Sequence, residues 1–279
     1  MTDGISRHTF IERILHNLAF SSWFPHVPLS KIESLLYHNQ LSNIFVERPV
    51  FITALPRAGT TLLLELCVST HEFVSHRYRD MPFLLTPLLG HNFTKNFREL
   101  GTLSERIHGD GIFVNFDSPE AFEEIIWKKY WPSYYKKDRI VLWTKSNYPA
   151  FQDFFVNHMR KIILLRGRDI KKTRYISKNN LNIARVKYLS SAFPDSTILI
   201  LFRSPLQQAA SLLKQHQNFQ RIHEEDMFAQ KYMQDTGHFD FGKNLRPIDF
   251  GDWLSKERYP TPIPLLSGCN TGFTPIVTL

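Results

Sequence analysis

Cysteine is nearly missing from this chain: Cys67 and Cys269 are the only two in 279 residues. Two distant thiols build neither a disulfide framework nor a zinc site of familiar spacing, so a reducing compartment is expected. Long apolar runs are missing as well. No stretch approaches the roughly 18 apolar residues of a membrane span, and the N-terminus lacks a basic segment leading into a signal-peptide core. These absences lead us to expect a soluble, cytoplasmic protein with no membrane span. Internal repeats and low-complexity tracts are absent too. Acidic residues are in deficit, 26 against 34 Lys plus Arg, giving a net charge of +8. That balance suits anionic ligands, polyanions or membrane surfaces without choosing among them. Aromatics are plentiful, 14% with 23 Phe, and spread through the chain. They do not interleave with a basic stripe, which speaks for core packing and against a nucleic-acid partner. At this length and 43% hydrophobic residues, one sizeable domain over 1–279 is expected.

The stretch VFITALPRAGTTLLLELCVS, Val50 to Ser69, joins an apolar β-branched run to an apolar helix through a tight turn. Val50 to Ala54 reads as a buried strand, Leu55 to Gly59 as the turn, and Thr60 onward as a helix. Amides in a helix's first turn have no partner within it, and with the helix dipole they favour an anion. The mononucleotide P-loop, G-x-x-x-x-G-K-[ST], is the nearest general pattern, but Ala54 stands at its first glycine and Thr60 at its lysine. Without that lysine the turn is poorly equipped for a nucleoside triphosphate. It still offers Thr60, Thr61 and the planar guanidinium of Arg57, suited to phosphate or sulfate. An ordinary strand–helix turn with a Thr cap is the plainer alternative.

In chain order, Phe10, Ile11, Ile14, Leu15 and Leu18 fall on one helical face. Ser30-Lys31-Ile32-Glu33 has the spacing of a capping box, predicting a helix from Ser30 through about Tyr37. After the turn helix, HEFVSHRYRDMPFLLTPLL (His71 to Leu89) crowds charges before an apolar run, as a substrate-facing segment or a solvated turn would. His108, Asp110 and Asp117 lie in a polar loop whose spacing matches no familiar ligand pattern, so no metal is expected. Asp117-Ser118-Pro119-Glu120 reads as a helix start. Helices follow over Glu120–Trp131, Ala150–Leu165 and Leu181–Phe193. Thr197 to Phe202, TILILF, is a continuous apolar run, the pattern of a central strand buried on both faces of a parallel sheet. Arg203 follows at its carboxyl end, where ligands of open α/β sheets bind. Pro205 opens the next helix, with Ser211 nearly two turns in. Arg203 and Ser211 together suit one further phosphate; as structural residues they would be a salt-bridging arginine and a small packing serine. Tyr259 to Leu279, with four prolines, reads as an irregular tail.

Together these elements resemble the sulfotransferase superfamily, which moves a sulfuryl group from 3′-phosphoadenosine-5′-phosphosulfate (PAPS) to a hydroxyl or amine, leaving adenosine 3′,5′-bisphosphate. Pro56-Arg57-Ala58-Gly59-Thr60-Thr61 is similar to the loop that holds the donor's 5′-phosphosulfate. Arg203 and Ser211, eight residues on, resemble the pair that holds its 3′-phosphate. The stretch Lys178 to Pro194 is similar in spacing to the tyrosylprotein sulfotransferase branch, where a lysine at the position of Lys178 lies by the transferred group. YRDMPF, HGDGI and DSPEAFEE look like bacterial members. The resemblance covers about residues 48–217 and implies a P-loop-type (NTPase-like) α/β fold, a parallel sheet with helices on both faces. It implies PAPS as donor, no metal, and a hydroxyl-bearing acceptor that is a carbohydrate, lipid, small molecule or protein tyrosine.

A hydroxyl acceptor also needs a general base. The tyrosylprotein branch places a glutamate about where Tyr78 falls here, and the small-molecule branch uses a histidine. The nearest candidates are Asp80 first and His108 second, with Lys178 as the cation on the bridging oxygen. Asp80 could equally pair with Arg77 or Arg79. Two rival functions stay open: a P-loop nucleotide kinase or NTPase, opposed by Thr60 at the lysine position and by Arg203 where a Walker B acid would stand, and a non-catalytic polyanion-binding protein.

Overall fold

The computed structural model describes residues 10–21, 25–94, 103–105, 111–144 and 148–251. The expectations on His108, Asp110 and the 259–279 tail lie outside them. Among the described residues the strands are β1 (Val50–Thr53), β2 (Phe73–Val74), β3 (Ser104–Glu105), β4 (Phe113–Val114), β5 (Ile140–Val141), β6 (Arg174–Lys178), β7 (Thr197–Ile200) and β8 (Ile248–Asp249). The helices are α1 (Phe10–Ala19), α2 (His26–Leu36), α3 (His38–Leu41), α4 (Thr60–Ser69), α5 (Pro87–Thr94), α6 (Glu124–Tyr130), α7 (Pro149–Arg166), α8 (Val186–Ala192), α9 (Pro205–Glu225) and α10 (Met227–Thr236).

Four strands form one sheet in the order β2-β6-β1-β7, all parallel, with Val50 opposite both Ile176 and Thr197. Side chains alternate across β1 as the pleat requires. Val50 and Ile52 pack with Leu64 of α4 and Ile176 of β6. Phe51 points the other way, its ring 6.3 Å from Phe155 of α7 and 5.7 Å from Phe193. Helices therefore cover both faces, and the α/β class expected from the sequence is the one observed.

On α7 the residues Phe151, Phe155, Met159 and Ile162 recur at helical spacing and are fully buried. They meet Trp127 of α6, whose ring centroid lies 4.7 Å from that of Phe151. Each such side chain contributes roughly 1.5–3 kcal/mol when fully buried, so this aromatic layer is the main core. At the far end α10 stops at Gly237, with φ 85°. A Cβ there would sit 2.3 Å from Glu124 Cγ, so only glycine lets the chain pass this close to α6.

Three sequence expectations change. The apolar run TILILF is not a strand buried on both faces: β7 is an edge strand in the described sheet, ends at Ile200, and leaves Thr197 and Ile200 exposed. The run is apolar throughout because Ile198 packs against the α7-side core while Leu199 and Leu201 pack against the α4-side cluster, each only partly buried. Ser30 does not cap α2, which starts at His26, one turn earlier. Ser30 and Glu33 are buried instead, and both receive Lys161 Nζ of α7: Ser30 O and Oγ at 2.9 Å and Glu33 Oε2 at 2.9 Å. The S-x-x-E spacing thus serves a buried ion pair. Asp117 to Glu120 does not start a helix, since α6 begins at Glu124. Asp117 is taken by Arg77 at 3.0 Å and Arg79 at 2.7 Å, and Glu120 is turned toward Tyr78, whose hydroxyl donates to it at 2.6 Å.

Candidate functional site

Parallel strands deliver their carboxyl ends to one edge, and there β1, β6 and β7 run out into Leu55–Gly59, Asn179–Asn180 and Leu201–Ser204. The first of these turns contains two residues of positive φ, Arg57 at 72° and Gly59 at 90°. For glycine this conformation is ordinary; for arginine it costs roughly 1–2 kcal/mol, and such strain persists only where surroundings over-determine it. Here they do. Arg203 Nη1 donates to the Arg57 carbonyl at 3.0 Å, and Arg57 Nε donates to Ser211 Oγ at 3.1 Å. Residues some 146 positions apart in sequence are thereby tied together.

Around this turn lies a pocket of about 170 Å³. Its lining combines Pro56, Arg57, Gly59, Thr60 and Thr61 with Arg203, and adds Glu120, Lys178, Asn180, His238 and Asp240 from other segments. Thr60 and Thr61 are buried at the start of α4, where first-turn amides suit an anion. Leu62, also on the rim, is 67% exposed. Lys178 ends β6, nearly buried, with its Nζ 3.9 Å from Glu120 Oε1. Asn180 joins the start of α4 to Asp240: its Oδ1 accepts the Thr60 hydroxyl at 3.5 Å, its Nδ2 donates to Asp240 Oδ2 at 3.0 Å, and its carbonyl accepts the Thr53 hydroxyl at 3.0 Å. Burial raises the Asp240 carboxyl above its ordinary range and Glu124 adds to this, against the opposing pull of Asn180 and Lys178.

Behind the strand end, Asn179 donates to Glu124 at 2.7 Å, and Glu124 pairs with Arg185 at 2.6 Å. The Arg185 guanidinium is held between Trp127 and Trp143, 4.4 Å from each ring. Lys178 and Asn180 therefore project from a rigid support, as a charge-positioning site needs.

The family model described as Sulfotransferase family matches residues 49–240. The chain belongs to the sulfotransferase family. No curated protein matches it in sequence. Among solved structures it is similar to sulfotransferase STF1 from Mycobacterium tuberculosis H37Rv, with TM-score 0.41 and 16% identity over 67% of this chain and 54% of that one. It is also similar to sulfotransferase STF9 from Mycobacterium avium, with TM-score 0.43 and 14% identity over 81% of this chain and 64% of that one. The chain thus spans about half to two thirds of the length of these structures, and its family membership rests on the 49–240 match.

In this sulfotransferase-family chain, the predicted loop and Arg203 share one pocket, and Ser211 joins them through Arg57. Ala58 lies in the same turn, but its side chain is not on the pocket wall. Asp80 is elsewhere. It is buried under α7, where Arg166 Nη2 donates to Oδ1, the Arg77 amide donates to Oδ2 at 2.8 Å, and His76 lies 3.8 Å away. Burial works against its charge, but Arg166, His76 and the Arg77 amide together hold its carboxyl well below the usual range. The guanidinium that pairs with it is therefore that of Arg166, not of Arg77 or Arg79, and a carboxyl held so far below the usual range is a poor proton acceptor. Glu120 and Asp240 are the carboxylates on the pocket lining, and of the two Glu120 is the one paired with Lys178, at 3.9 Å. Glu120 is hidden in the sequence by an apparent helix start, and its contact with the Tyr78 hydroxyl, 42 residues away, exists only in the fold. Asn180 and Asp240 gave no signal, being single polar residues brought in by tertiary structure. Among the described residues no group of His, Cys, Asp and Glu could hold a metal ion.

Proposed function

We propose that this pocket binds PAPS and that the chain transfers its sulfuryl group to an acceptor hydroxyl or amine. The observation that carries the reading is the pair of hydrogen bonds Arg203–Arg57 and Arg57–Ser211. They join an anion-binding turn lacking the P-loop lysine to a second cationic locus one side chain away, which suits a nucleotide with phosphates at both ends of its ribose. The first-turn amides, Thr60 and Thr61 hold the 5′-phosphate, Arg57 the phosphate–sulfate region, and Arg203 with Ser211 the 3′-phosphate. Leu62 offers an apolar surface for the adenine ring.

Sulfuryl transfer needs positioning and charge stabilisation more than covalent help. Glu120 accepts the proton of the acceptor hydroxyl as that oxygen bonds to sulfur. Lys178 stabilises the charge on the bridging oxygen as the bond from sulfur to it breaks, and adenosine 3′,5′-bisphosphate leaves. Glu120 replaces Asp80 in this role because it lies on the pocket wall, 3.9 Å from Lys178.

Calorimetric titration with adenosine 3′,5′-bisphosphate, 5′-AMP and ATP plus magnesium tests the donor site. A clear preference for the bisphosphate is expected, and Arg203→Ala should weaken 3′-phosphorylated nucleotides selectively. Equal loss of all nucleotides refutes the assignment. Preference for ATP with magnesium would favour a kinase or NTPase, and steeply salt-dependent binding without 3′ selectivity a polyanion binder.

A further inference from the structure

Gln208 lies in the first turns of α9, buried, and its side chain reaches back to the turn after β1. Its Nε2 donates to the carbonyl of Leu55 at 3.1 Å and to that of Pro56 at 3.0 Å. The next carbonyl, of Arg57, is taken by Arg203 at 3.0 Å. Three successive carbonyls of the turn are thus held by side chains from the segment that follows β7.

The geometry of a peptide unit gives this arrangement a direction. In a planar trans peptide the C=O of one residue and the N–H of the next point opposite ways. Fixing the Pro56 carbonyl against Gln208 therefore aims the Arg57 amide away from α9, and fixing the Arg57 carbonyl against Arg203 aims the Ala58 amide away from Arg203. A carbonyl turned toward a phosphate repels it and an amide attracts it. Which face the turn presents is thus decided by what holds its carbonyls back. The positive φ of Arg57 is the mark that something does.

We infer that Gln208 is a positioning residue for the donor loop: it holds the Pro56 carbonyl back so that the Arg57 amide is presented to the 5′-phosphate before the nucleotide arrives. It also turns the Leu55 carbonyl, whose peptide partner Pro56 has no N–H, away from the anion. Neither sequence motif includes it. The role rests on the donor-site reading above, and the two fail in different ways.

The test uses the full chain and two ligands that differ only in the 5′-phosphate, adenosine 3′,5′-bisphosphate and adenosine 3′-monophosphate. Gln208→Met keeps the length and removes the donor; Gln208→Glu keeps the shape and sets a carboxylate against two carbonyls. In wild type the 5′-phosphate adds affinity. In both variants that gain should shrink by about tenfold, the effect of losing a preorganised hydrogen bond, while affinity for the 3′-monophosphate stays within about twofold of wild type. A general structural role would weaken both ligands alike, in step with melting temperature, and that result overturns the inference. So does an unchanged ratio, or a failure of both variants to fold, which would make Gln208 a core residue only. Wild-type protein that binds neither nucleotide overturns the donor-site reading itself.

Discussion

Acid should loosen the wall of the pocket that carries Asp240, and the size of the effect can be worked from His223. This residue and His216 lie on the buried face of α9. Each accepts a backbone amide through Nδ1, His216 from Gly242 at 3.3 Å and His223 from Lys243 at 3.2 Å. An Nδ1 that accepts carries no proton, so both rings must be neutral with hydrogen on Nε2. Those two bonds anchor the segment after Asp240 and Phe241. The fit is close: a Cβ on Gly242 would lie 2.7 Å from His223 Nδ1. Burial, then Lys243, then His216 push the His223 pKa from 6.5 down to about 4, and burial lowers His216 in the same direction.

A histidine whose folded pKa lies below its unfolded value stabilises the fold fully above the unfolded pKa, here 6.5, and that contribution is lost as pH falls toward the folded one. At about 1.4 kcal/mol per unit, the loss from His223 reaches about 2 kcal/mol near pH 5 and about 3 kcal/mol near pH 4. Against a total of roughly 5–15 kcal/mol this is a large share. His216, His158 and His26, also lowered by burial, act in the same sense, so wild type alone does not isolate one ring. His223→Asn does. Its Oδ1 stands where Nδ1 stood and accepts the same amide without titrating. Urea denaturation near pH 7 and near pH 5 should show the variant less stable than wild type by some fixed cost near neutrality, with about 2 kcal/mol of that difference recovered near pH 5. An equal difference at both pH values would refute the reasoning.

Asp240→Asn should raise the melting temperature at neutral pH, because burial makes the wild-type charge unfavourable in the fold; the gain should shrink as pH falls toward 3.8, its ordinary value, and a variant less stable than wild type at pH 7 would contradict it. Lys161→Met leaves the Glu33 carboxylate buried without its cation and should cost about 3–5 kcal/mol in denaturation, while adding Glu33→Gln should recover most of it. Glu120→Gln should lower kcat by about 10²–10⁴-fold with little change in affinity for adenosine 3′,5′-bisphosphate, whereas Asp80→Asn should lower stability and spare kcat. The reverse pattern on any sulfated acceptor would return the base to Asp80.

Legibility in the sequence followed the range of the interactions concerned. The turn at Leu55–Gly59 could be read because its signals are contiguous: apolar strand, glycine, hydroxyls, apolar helix. Arg203 and Ser211 could be read because a proline fixes the helix start between them. The buried charges behaved otherwise. Ser30 and Glu33 were spaced like a cap, and Asp117 and Glu120 like a helix start, because a capping box and a long-range polar contact use the same short acidic and hydroxyl residues. What distinguishes them is the partner: Lys161 for the first pair, and Arg77, Arg79 and Tyr78 for the second. Those partners lie 38 or more residues away, beyond the reach of any local pattern. The same reasoning explains Asp80 and Glu120. Both lie in charged stretches that read as functional, and only the fold gives Arg166 to one and the pocket to the other. Glu120 is itself held, by the Tyr78 hydroxyl at 2.6 Å and the Ala121 amide at 2.7 Å; what separates it from Asp80 is its place on the pocket lining beside Lys178, and on that placement it is the base we propose.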